Sequence, residues 1–108
     1  MVNQEFFLFL ELVNLEGYVG FVGSPRKAKP KAANKKETEY FEVSVNCENR
    51  TVRAVCYDSD RRCLLEKFNK ESKSCCLLNA EKSDNDVIIL DDTIIKEKKV
   101  AFENKTFD

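Results

Sequence analysis

Residues 39–47 alternate strictly, with Phe41, Val43, Val45 and Cys47 on one side and Tyr40, Glu42, Ser44 and Asn46 on the other. A period of two is what a half-buried strand requires. The turn Glu48-Asn49 leads into residues 50–57, where Val52, Ala54 and Cys56 oppose Thr51, Arg53, Val55 and Tyr57. The pair predicts an antiparallel hairpin with one buried face and one wetter face. Upstream, residues 12–23 are largely apolar and carry Gly17, Gly20 and Gly23 at intervals of three. Glycine weakens a strand but permits a bulge, a sharp coil or a close backbone approach. This segment therefore predicts a long first strand bending around a small barrel.

A single helix is expected, over residues 61–71. Ser59 or Asp60 would cap it, and Cys63, Leu64 and Phe68 would form a narrow apolar stripe plugging one barrel end. Residues 74–79 read as a short apolar strand, Ser83-Asp84-Asn85-Asp86 as a turn, and Val87 to Leu90 as another strand. Asp91-Asp92 reads as a bulge or bend before Thr93-Ile94-Ile95, and the tail from Lys96 extends that last strand. The order is three strands, a helix and two strands. The fold class is thus all-β with one helix, a five-stranded OB-fold Greek-key barrel with the helix between strands 3 and 4. Residues 12–102 form that domain, preceded by an apolar extension (1–11) and followed by a tail (103–108).

Composition narrows the function more than the fold. At 108 residues, 43% of them hydrophobic, the chain suits one domain with one core. Eighteen basic residues against nineteen acidic ones leave a net charge of -1, which excludes a globally cationic binder but not a local basic patch. Histidine is absent, which removes Ser-His-Asp and Cys-His nucleophile chemistry and any His-ligated metal from this chain. A non-enzyme with no cofactor is expected. The five cysteines cannot all pair with one another, and adjacent Cys75 and Cys76 are poorly placed to bridge. Glu5, Glu11 and Glu16 interrupt the N-terminal apolar segment and no basic residue precedes Arg26, unlike a secretory signal. No stretch has the length of a membrane span. The expectation is a reducing compartment, nuclear or cytoplasmic, with free thiols and chance sequons at Asn49 and Asn104.

One segment stands apart in charge. Between Ser24 and Lys36 lie Arg26, Lys27, Lys29, Lys31, Lys35 and Lys36 with no acid, and Pro25 and Pro30 argue for an exposed loop there. It would join strands 1 and 2.

With these elements in place the chain resembles the OB-fold domains of the replication protein A large-subunit group of single-strand DNA-binding proteins. The lines that carry the resemblance are Asn14-Leu15-Glu16-Gly17-Tyr18-Val19, Tyr40-Phe41-Glu42-Val43-Ser44-Val45 and Val52-Arg53-Ala54-Val55-Cys56-Tyr57. Lys73-Ser74-Cys75-Cys76-Leu77-Leu78-Asn79 and Asp92-Thr93-Ile94-Ile95 complete it, over roughly residues 12–102. The zinc ribbon inserted in one domain of that group has no counterpart here. The resemblance implies roles in replication, repair or telomere maintenance, often as one part of a larger assembly.

The candidate site follows from the same placement. The 26–36 loop would capture phosphates, which attract Lys and Arg without base preference. Its composition also suits a nuclear-import signal or a merely solubilising loop. Tyr40, Arg53 and Tyr57 project from the wetter hairpin face, where rings beside a guanidinium stack on bases without reading sequence. Covering the sheet is the alternative role for those rings. Lys96, Lys98 and Lys99 could add a basic rim beyond the last strand, but read first as surface charge. The cysteine spacings hold no Cys-x-x-Cys knuckle, so no metal site is expected. The pairs Asp58/Asp60, Asp84/Asp86 and Asp91/Asp92 read as turn and cap residues rather than catalysts. The expected function is single-stranded nucleic-acid binding, DNA rather than RNA, with little sequence preference and no membrane. The rival is an OB-fold protein-interaction module, with Phe6-Phe7-Leu8-Phe9-Leu10 as the docking run.

Overall fold

The alternating segments become strands. In a computed structural model that describes residues 11–28 and 38–107, the elements are β1 (Leu12–Val22), β2 (Arg26–Ala28), β3 (Thr38–Asn46), β4 (Thr51–Cys56), α1 (Arg62–Glu71), β5 (Ser74–Ser83), β6 (Asp86–Ile89) and β7 (Ile94–Glu97). The hairpin β3–β4 is antiparallel, with Phe41 opposite Cys56 and Asn46 opposite Thr51. Its inner residues Phe41, Val43, Val45, Val52, Ala54 and Cys56 are each no more than 1% exposed. The predicted inner and outer faces are those observed.

The sheet closes on itself. β1 pairs antiparallel with β5 through its first part and with β3 through its second. β5 pairs antiparallel with β6, and β6 runs parallel to β4. The order β1-β3-β4-β6-β5 therefore returns to β1. Leu15, Val19, Leu77, Ala80, Val87 and Ile89 fill the ring together with the hairpin's inner residues. Gly17 lies tight against the end of β3: a Cβ there would stand 2.2 Å from the carbonyl oxygen of Asn46. The close approach expected of these glycines is real, and any side chain at this position would collide with backbone.

Four expectations change. The segment from residue 26 is not all loop, because Arg26–Ala28 pairs with Thr38–Tyr40 as β2. β1 accompanies β3 only as far as Val22 and Val43, so the first residues of β3 are left for the returning chain to pair with. Lys29, Lys31, Lys35 and Lys36 lie outside the described residues, as do Phe6 to Leu10. Secondly, the fourth predicted strand runs past Asn79 to Ser83. Asn79 adopts a left-handed backbone (φ 71°), which Asn tolerates better than most residues, and its N–H donates to Asn14 Oδ1 at 2.9 Å. β5 thus kinks without ending, pairing with β7 before the kink and with β6 after it.

Thirdly, the last predicted strand is two, β6 and β7, divided by the Asp91-Asp92 turn. Buried Thr93 pins that turn: its hydroxyl accepts from Leu90 N–H at 2.8 Å and donates to the carbonyl of Asn79 at 2.7 Å. Fourthly, the helix faces a different way. Leu65 and Phe68 are buried, whereas Cys63 is exposed and Leu64 is 39% exposed. Arg62 Nε donates to the Gly23 carbonyl and Asn69 Nδ2 to the Val19 carbonyl, both at 2.9 Å. Positions 62, 65 and 69 share one side of a helix, so these polar anchors on β1 and just past its end fix its rotation. The cap is Asp58, which accepts from Asp60 N–H ahead of a short 3-10 turn over Ser59–Arg61. α1 itself begins at Arg62 without a side-chain cap.

Candidate functional site

Residues directly opposite one another in a sheet share a face. The outer face of β1, β3 and β4 can therefore be read row by row from the register. Tyr40 of β3 and Tyr57, just beyond β4, stand at one end with ring centroids 6.0 Å apart and a 48° tilt. Tyr57 is 52% exposed. Arg26 of β2 pairs opposite Tyr40, and Lys27 opposite Glu39. Glu42 faces Val55, which in turn faces Ile88 of β6. In the next row Phe21, Ser44 and Arg53 lie side by side. The last row holds Tyr18, Asn46 and Thr51.

Of the nine residues singled out from sequence, five are described, and the fold gathers Arg26, Tyr40, Arg53 and Tyr57 on this face. Phe21 is an addition. Simple alternation from Leu15 through Val19 would turn it inward, but the register slips between Val19 and Phe21. Gly20 allows the slip, because a Cβ there would stand 2.6 Å from Asn46 Nδ2. Phe21 is thereby thrown outward, 58% exposed. The bulge-permitting glycine was the available signal.

The electrostatics are less one-sided than the basic segment suggests. Arg53 donates to Glu42 Oε2 at 2.6 Å and to Asp86 Oδ2 at 3.1 Å. The Glu42 hydrogen bond, followed by the charges of both acids, pushes the guanidinium's pKa up. Half exposed, it gains little stability from these pairs, but an incoming phosphate or base must compete with two carboxylates for it. Lys98, expected as surface charge, pairs with Glu16.

Three of the six paired aspartates make structural contacts, two through the carboxylate and Asp91 through its backbone. Asp58 caps, Asp86 holds Arg53, and the Asp91 carbonyl accepts from Arg61 at 2.6 Å. No group of three or more metal-ligating side chains forms among the described residues. All five cysteines are free. Burial pushes the thiols of Cys47 and Cys56 up and that of Cys75 to about 12, the opposite of an activated nucleophile. No described helix is long and apolar enough to cross a membrane.

The chain matches no protein-family model and no curated protein sequence. Solved structures are similar in fold. One is the HINa domain of Ifi202 in complex with a 20-base-pair double-stranded DNA, with a TM-score of 0.64 and 19% identity over 90% of this chain and 47% of that one. Another is a replication protein A heterotrimer bound to single-stranded DNA, with a TM-score of 0.63 and 11% identity over 99% of this chain and 27% of that one. This chain spans less than half the length of either solved chain. The mostly-β ring with one short helix resembles an OB-fold of the replication protein A kind.

Proposed function

We propose that this chain is an OB-fold barrel that binds single-stranded DNA on the outer face of β1, β3 and β4, with little sequence preference. The observation that carries this reading is the row of accessible rings on one sheet face, exposed Phe21 and Tyr57 with half-buried Tyr40 beside Tyr57, interleaved with Arg26 and Arg53. Bases stacked on such rings must be unpaired, because a duplex hides their faces. Arg26 stands opposite Tyr40, and the basic segment that continues in the sequence through Lys27, Lys29, Lys31, Lys35 and Lys36 would supply phosphate attraction. The likeness in fold to proteins solved with DNA supports the same reading. It works as a binding module rather than an enzyme, and its unpaired thiols suit a nuclear or cytoplasmic setting.

The pairing of Arg53 with Glu42 and Asp86 favours a second reading, in which this charge-balanced face docks a protein. Fluorescence anisotropy separates the two readings, using labelled oligothymidylate, oligouridylate and a duplex at low and physiological salt. Saturable binding to the single strands, weaker for the duplex and for Lys27→Ala, is the expected result. No binding at low salt sinks the proposal.

A further inference from the structure

The far end of the same face is already occupied. Residues 98–107 leave β7 without regular secondary structure and cross Tyr18, Asn46 and Thr51. Asn46, on the outer side of β3, is only 2% exposed. Its Nδ2 donates to Asn104 Oδ1 at 2.8 Å and to Thr106 Oγ1 at 3.2 Å, and its Oδ1 accepts from Thr51 Oγ1 at 2.9 Å. Thr51 Oγ1 accepts from Phe107 N–H at 2.7 Å. Tyr18 donates its hydroxyl hydrogen to the Phe102 carbonyl at 2.8 Å, and its ring meets that of Phe102 edge-on at 6.1 Å.

We propose that Tyr18, Asn46 and Thr51 are a second subsite for the bound strand, one that takes a nucleobase bearing a carbonyl acceptor and is filled by residues 102–107 when no nucleic acid is present. The proposal rests on the single-strand reading above and extends it along the same face.

The groups the tail brings are those a base would bring. An aromatic ring meets Tyr18 edge-on, a carbonyl oxygen accepts from Asn46 Nδ2, and an N–H reaches Thr51. The Asn46 donor is buried and would be costly to leave unmet. A base carbonyl in the tail's place meets that donor again under cover, which favours a base that carries an acceptor there. The tail is also cheap to displace. Ala101 and Glu103 through Thr106 are exposed, so apart from the half-buried rings of Phe102 and Phe107 the segment is held by hydrogen bonds. A short strand could sit at the Tyr40–Tyr57 end and leave the tail in place, whereas a longer one would reach the Asn46 row and expel it.

The test compares oligothymidylates of about 4 and about 12 nucleotides. They are titrated against the full chain, a chain ending at Glu103, and full-length Asn104→Ala/Thr106→Ala. Both variants should bind the longer strand roughly tenfold more tightly than the parent, as removal of two or three competing hydrogen bonds allows. Their affinity for the short strand should not change. In the parent, hydrogen exchange at the Phe107 amide should speed up on binding the long strand and not on binding the short one. If the shortened chain fails to fold, the double substitution and the exchange measurement decide alone. Equal affinities for both lengths in all chains, or a Phe107 amide still protected at saturation, overturn the subsite and leave the single-strand reading standing. No binding of either length by any of the chains overturns both.

Discussion

Phe21 shows how far one residue can sit from where its pattern puts it. Period-two counting along β1 sends it to the core, and only the slip at Gly20 delivers it to the surface. The faces of Tyr40, Arg53 and Tyr57 were legible because β3 and β4 alternate without interruption. The partners of Arg53 were not, since Asp86 reaches it from a strand distant in sequence. Phe21→Ala and Tyr57→Ala should each weaken single-strand binding by roughly 5- to 150-fold, the equivalent of ~1–3 kcal/mol per stacked base. Urea unfolding should shift little, by about 0.5 kcal/mol or less, because both rings are more than half exposed. Cys75 gives a pH signature. Its thiol keeps its proton up to about 12 in the folded chain, against 9.0 when unperturbed. Over that window the folded chain holds the proton that the unfolded chain has lost, so this contribution to stability is full below the window and disappears as pH rises through it. Unfolding free energy followed from pH 9 to 12 should fall less steeply in Cys75→Ala than in the parent.

Among the elements, the strands were legible in outline and the helix in extent, but the helix's rotation was not. Apolar spacing alone pointed to Cys63 and Leu64, whereas Asn69 reaches a backbone carbonyl on β1 and Arg62 that of Gly23 just past its end, turning Leu65 inward. Side-chain-to-backbone bonds of this kind leave no hydrophobic trace in a sequence. The kink at Asn79 was hidden for a related reason, because a left-handed residue in mid-strand reads locally as a strand end. The two leucines test the helix assignment. Leu65→Ala should cost roughly 2–5 kcal/mol in chemical denaturation, as a fully buried leucine does. Leu64→Ala should cost under about 1 kcal/mol, because that side chain is partly in solvent. Equal losses would mean the helix packs by another face.

At the scale of the whole molecule, a net charge of -1 makes electrostatic capture a local event of the 26–36 segment. Six basic residues set its ceiling. The logarithm of single-strand affinity against the logarithm of salt should therefore have a slope no steeper than about -4. A steeper slope, measured across a salt series, would implicate cations elsewhere, such as Lys96 or Lys99. The closed ring has a consequence in time as well as in energy. β1 is the seam of the ring, and its partners in β5 lie more than fifty residues downstream. Long-range pairing of this kind is slow, because the chain must lose the entropy of a large loop before any contact compensates. On the ribosome, β1 and the β3–β4 hairpin must wait for β5 and β6 to emerge before the ring can shut. Until then Leu15 and Val19 stand uncovered beside an unpaired strand edge, which makes the half-made chain the form most open to aggregation and to capture by chaperones.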